Sequence, residues 1–175
     1  MRLISHQPVR PSGSRHAGAF TLVEAIMSML VVSVLLVAAM RATTASALMQ
    51  YKNSERALGG VLADSLINEV LVLSYTDPTS PSGFGLEAGE STTSKVGWDD
   101  VDDFAGWSES PPQDRNGTPM AGLSGWRRTV SVQRVLANDP SQPAGSETGV
   151  KRITVTVLRN GLVVATRTAL RTSAP

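Results

Sequence analysis

From Phe20 to Met40 the chain runs for 21 residues with a single charged side chain, Glu24. A helix of that length spans about 31 Å, which matches the roughly 30 Å hydrocarbon core of a bilayer. A helix apolar on every face must be covered by lipid or by protein. The rest of the 175-residue chain amounts to one modest domain, too little to surround it, so the segment reads as a membrane span rather than a buried helix. A secretory signal peptide is the rival reading. Arg2, Arg10 and Arg15 would form its charged region, and Ala45-Ser46-Ala47 a cleavage site whose product begins near Leu48. Against it, the apolar run exceeds the usual core of about 7–15 residues, and Arg41 stands between the run and the alanines. Glu24 also counts against it. An acid at the centre of a membrane helix costs about 2.5–3.5 kcal/mol, and less near an interface, so a chain that keeps one there has a use for it.

The leader ends in Gly18-Ala19 and runs straight into Phe20-Thr21-Leu22-Val23-Glu24. This pentapeptide, with the apolar helix behind it, resembles the processing and assembly signal of type IV prepilins and of type II secretion pseudopilins. The resemblance implies cleavage by a membrane prepilin peptidase between Ala19 and Phe20, followed by N-methylation of Phe20. Glu24 then falls at the fifth mature position, where the family keeps its recurring acid. Gly18 and Ala19 depart from the family pattern, which usually places glycine immediately before the cut. Cleavage after Gly18 would restore that glycine and move Glu24 to the sixth position; the Ala19/Phe20 cut keeps the acid in register. Its expected role is to pair with the amino terminus of Phe20, on the same or a neighbouring subunit, and so select one axial register between helices. The bland alternative is an acid reaching back to the headgroups. The family likeness also implies a single-pass inner-membrane protein of a bacterium. Its head would be extracytoplasmic, and its partners the lipid bilayer, other pilin or pseudopilin subunits and an inner-membrane assembly platform. Positive charges do not orient the span by themselves, because Arg41, Lys52 and Arg56 balance the leader arginines.

Beyond the span, Leu58, Leu62, Leu66, Val70 and Leu73 recur at helical spacing, with Val61 and Leu71 widening the stripe. The helix is expected to reach about Thr76, where Tyr75-Thr76-Asp77-Pro78 stops it. Gly59-Gly60 would loosen or bend it, at roughly 1 kcal/mol per glycine relative to alanine. Residues 77–125, rich in Gly, Pro, Ser and Asp, read as a long ordered loop with one short strand around Lys95–Trp98. Strands dominate the end: Trp126 to Leu136, a loop around Asn138-Asp139-Pro140, then Lys151 to Leu158 and Leu162 to Arg171, joined by an Asn160-Gly161 hairpin. The expected fold is α+β and pilin-like, a long N-terminal helix on a small C-terminal antiparallel sheet. Its segments are a leader (1–19), a transmembrane half-helix (20–40), an amphipathic half-helix (41–76), the acidic loop (77–125) and the strands (126–175).

Charge is segregated along the chain. Asp77 to Gly125 holds nine acidic and two basic residues, and Trp126 to Pro175 holds eight basic and two acidic ones. The acidic segment is expected to dock on the basic strands of its own head, or on those of an adjacent subunit. A nucleic-acid patch of Arg127, Arg128, Arg134, Arg152 and Arg167 is the least favoured option. Asp99, Asp100, Asp102 and Asp103 are weak calcium candidates, since their spacing lacks the EF-hand pattern and its glycine. A solvated acidic turn, or one facing the basic segment, is the simpler reading. Asn116-Gly117-Thr118 formally matches a glycosylation acceptor but reads as a turn.

No cysteine is present, which excludes disulfides, thiol catalysis and cysteine-ligated metal, and both histidines, His6 and His16, lie in the leader. Neither a hydrolase triad nor a phosphate-binding loop is found, so the chain reads as a structural subunit without a cofactor rather than an enzyme. A membrane-tethered binding or adhesion module that does not polymerise is the second reading.

Overall fold

The computed structural model describes residues 21–79 and 83–173. The chain divides into two compact units, Met1–Ala47 and Leu48–Pro175. Helix α1, Leu22–Leu71, contributes to both. In the first unit every described side chain is exposed except the half-buried Ala25. The helix there is long and apolar enough to cross a membrane.

In the second unit α1 lies on an antiparallel sheet of five strands: β1 (Ser108–Glu109), β2 (Trp126–Leu136), β3 (Asp139–Pro143), β4 (Val150–Arg159) and β5 (Leu162–Thr172). The order is β1-β2-β4-β5, with β3 pairing the far end of β2. The expected α+β layout is what the structure shows. Strand β4 follows its alternation, burying Ile153, Val155 and Val157 while Arg152, Thr154 and Thr156 sit on the other face. Asn160 and Gly161 both take positive φ, 50° and 82°, as a tight hairpin turn requires. The core joins Leu62, Ala63, Leu66, Ile67 and Val70 of α1 to Val130, Val132, Ile153, Val155 and Val157 of the sheet.

Several expectations are corrected. The helix stops at Leu71 rather than Thr76, because Ser74 is drawn into a parallel bridge with the acidic loop. Its N–H donates to Asp99 O at 3.1 Å, and its carbonyl accepts from Val101 N at 3.1 Å. The stripe buries Leu62, Leu66 and Val70 as expected but differs at its edges: Ala63 and Ile67 are buried, whereas Val61 and Leu58 are exposed. Lys95–Trp98 is a turn, not a strand, and carries Lys95 into the interior. The loop expected around 138–140 shrinks to a turn at 137–138, and Asp139 and Pro140 open β3, whose residues Asp-Pro-Ser-Gln-Pro have no apolar alternation to betray it. The long acidic loop is ordered by aromatic packing. Trp98 stands edge-on to Phe104 at 4.8 Å and to Trp107 at 5.0 Å.

Gly59-Gly60 does not end the helix; both glycines are buried inside it. A β-carbon on Gly59 would lie 2.9 Å from Val164 Cγ2 and 3.2 Å from Ala165 Cβ on β5. The missing side chain therefore lets helix and sheet approach. Alanine at this site would gain about 1 kcal/mol in helix propensity. Against that, overpacking costs about 1–3 kcal/mol, and Val164 cannot swing aside freely because it branches at Cβ. Gly59→Ala should therefore lower stability by about 1 kcal/mol in urea unfolding. A stabilised variant would show that β5 gives way.

Candidate functional site

Two places concentrate the chemistry of this chain, the apolar helix and the ionic interior of the head. Gly18, Ala19 and Phe20 lie outside the described residues. Thr21 stands just before α1, and its hydroxyl accepts the Glu24 N–H at 3.2 Å. Thr21-x-x-Glu24 is thus an N-terminal cap, with the acid in the first turn, where the helix dipole favours negative charge. Sequence reading had not recognised this second, local reason for an acid at Glu24, although the Thr-x-x-Glu spacing signals it. The exposed Glu24 carboxylate has no hydrogen-bond or ionic partner among the described residues. Elsewhere on the apolar segment the hydroxyls are satisfied within the helix. Ser28 donates to Glu24 O and Ser33 to Met29 O, each at 2.7 Å. Polar groups so occupied are tolerated in hydrocarbon. That leaves one carboxylate as the conspicuous polar group of this surface.

In the head the acidic segment docks on the basic strands of the same chain. Glu109 on β1 forms an ion pair with Arg128 on β2, and both side chains are wholly buried. Arg128 also donates to Leu62 O of α1 and to Gln113 O. Lys95, inserted from the loop, forms ion pairs with Glu69 of α1 at 3.0 Å and with Glu109 at 3.6 Å. A second buried pair joins Lys151 of β4 to Asp102, and Lys151 also donates to Tyr75 O. Helix, loop and sheet are therefore tied by charge as well as by apolar contact. Sequence reading had not singled out Glu109, Lys95 or Lys151. The signal was present, since Arg128 and Lys151 fall in phase with the inward-facing residues of β2 and β4.

The four aspartates proposed as metal ligands have separate fates. Asp99 accepts the Ser74 N–H on its backbone carbonyl, beside the Ser74–Asp100 bridge, and its side chain is exposed. Asp100 Oδ1 accepts the N–H groups of Asp102 and Asp103 at 2.7 and 3.2 Å, a local turn cap. Asp102 is taken by Lys151 and the Gly85 N–H. Only Asp103 converges with other carboxylates, and these are Glu87 and Glu90 from the preceding loop. Asp100, Asp102 and Asp103 are buried rather than solvated. Burial, with the charges of Asp102 and Asp103, pushes the Asp100 carboxyl up to about 7, against the pull of the Asp102 N–H and Lys151. Burial likewise pushes Glu87 up to about 7, helped by its contact with Glu90 and the charge of Asp103. Asp103 rises to about 6 for the same first reason, opposed by the N–H groups of Asp100 and Asp99.

No protein family, curated protein or solved structure matches the chain. Of the five arginines a nucleic-acid patch would need, Arg128 is buried. Arg134 pairs with Glu147 and Arg167 with Asp64, both at 3.2 Å, and Arg152 bonds Gln133 and the Pro140 and Ser141 carbonyls. Asn116-Gly117 forms a turn closed by the Asp114 carboxylate, which accepts the Asn116 and Thr118 N–H groups.

Proposed function

We propose that this chain is the precursor of a minor pilin or pseudopilin. It is cut by a prepilin peptidase between Ala19 and Phe20 and N-methylated at Phe20. It is held in the inner membrane by a single span and assembled through α1 into a type IV pilus or a secretion pseudopilus. The observation that carries this reading is the state of α1 from Leu22 to Met40. It is apolar on all faces, exposed along its length apart from the half-buried Ala25 and self-satisfied in its hydroxyls, and it carries in its first turn one acid whose carboxylate has no partner among the described residues. Such a helix is covered either by lipid alone or by lipid and then by copies of itself. A carboxylate that recurs at one height on each copy favours a single stacking register.

Mass spectrometry of the mature amino terminus tests the reading. N-methylated Phe20 is the expected product, and an unprocessed leader should accumulate in cells lacking the peptidase. A terminus near Leu48 would instead mark a secreted protein, and a retained leader in peptidase-positive cells a tethered module. Glu24→Ala should insert normally, because removing an acid eases membrane entry, yet its recovery in sheared filaments should fall at least tenfold. Undiminished recovery would reject the register role.

A further inference from the structure

Glu87, Glu90 and Asp103 bring one carboxylate oxygen each to within 4.8 Å of one another. Asp103 is only 2 % exposed. Its Oδ2 accepts the Asp99 and Asp100 N–H groups at 3.0 and 3.1 Å. Its other oxygen, Oδ1, is buried with no hydrogen-bond partner, and the same holds for Glu87 Oε2. Two members of one cluster thus each carry a buried acceptor with no N–H or cation against it, their neighbour being the third carboxylate, Glu90. A buried, unmatched acceptor costs about 1–3 kcal/mol, and more for a charged group. The neighbouring buried cations do not relieve it: Lys151 is held by Asp102, and Lys95 by Glu69 and Glu109.

We propose that Glu87, Glu90 and Asp103 bind a divalent calcium ion that clasps the loop around Glu87 to the turn carrying Asp103. An all-oxygen, carboxylate-rich donor set suits hard cations rather than zinc or copper. Calcium places its oxygens at about 2.3–2.6 Å, so ligands across its shell lie up to about 5 Å apart, whereas magnesium holds them within about 4.2 Å. Oxygens that all lie within 4.8 Å of one another fit inside a calcium shell, and calcium accepts a flexible set of protein oxygens where magnesium demands a near-ideal octahedron and keeps several waters. Glu87 and Glu90 are half-buried, which leaves a route from solvent. Water and backbone carbonyls complete the shell. The clasp would add to the bond from the Gly85 N–H to Asp102 at 3.0 Å, which already ties this loop to the turn. The site is independent of whether the chain polymerises.

The test uses full-length, detergent-solubilised protein stripped with a chelator. Calcium chloride, followed by calorimetry and by tryptophan-detected melting, should bind at one site per chain. It should raise the melting temperature, with magnesium at least tenfold weaker. Terbium should give tryptophan-sensitised luminescence that calcium displaces, a readout that needs no variant. Glu87→Gln/Glu90→Gln should keep the parent's circular dichroism in chelator and lose both the calcium-dependent shift and the terbium signal. Asp114→Asn, a carboxylate outside the cluster, should retain them. The proposal fails if the parent shows no saturable binding up to about 10 mM, beyond the weakest range of extracellular calcium modules. It fails equally if the double glutamine variant binds as the parent does.

Discussion

Arg128→Ala should destabilise the head by about 3–5 kcal/mol, the usual effect of removing one partner from a buried ion pair. A small domain holds about 5–15 kcal/mol in total, so this single change consumes much of its margin. Three consequences coincide. The Glu109 carboxylate, wholly buried, loses its closest cation and keeps Lys95, 3.6 Å away, and the Trp107 Nε1–H at 3.2 Å. The Leu62 and Gln113 carbonyls lose a donor. A cavity opens where the largest fully buried side chain had been. Urea unfolding can be followed by tryptophan fluorescence, because Trp98 and Trp126 are in the core and Trp107 packs against it. Arg128→Lys should recover only part of the loss, since an ammonium cannot reproduce the guanidinium's fork of donors. A variant within about 1 kcal/mol of the parent would mean that the network contributes little.

Lys151→Met is the second large effect, again about 3–5 kcal/mol, because it strands Asp102 in the interior. Here the shape of the interaction allows a sharper check. Lys151 runs along β4 in phase with Ile153, and its ammonium sits 4.4 Å from the Tyr75 ring. Methionine keeps most of the aliphatic packing but none of the charge. Adding Asp102→Asn removes the stranded carboxylate as well. The double variant should therefore regain more than half of the lost stability, giving a coupling of about 1.5–3 kcal/mol in a double-mutant cycle. Additive losses would show that the two side chains act separately.

Much of the architecture was legible along the chain. The apolar run, the alternation of β4 and the Asn160-Gly161 turn each carry a local physical cause that needs no partner. What proved illegible depends on a partner distant in sequence. Ser74 leaves the helix because the Asp99–Val101 backbone captures it. β3 is a strand only because the end of β2 offers it a ladder. Gly59 looked like a weak point in a helix and is a contact point with β5. At the candidate sites, Glu24 stands out in sequence because its surroundings are uniformly apolar. Glu87 and Glu90 do not, because nothing local relates them to Asp103.

By itself, then, the order of residues determined the segments. It set a helix too apolar for water, an acid near one end of it, strands with one inward face, and opposite charge on the loop and the strands that follow. Periodicity and composition act within a few residues, so they are readable without a fold. The tertiary structure alone decided which charges meet. It sent Glu109 to Arg128 and Asp102 to Lys151, and it left Asp103 facing two glutamates. Pairing inside a low-dielectric interior depends on distances of a few ångströms between segments tens of residues apart. Those distances exist only once the helix, the loop and the sheet have closed around a common core.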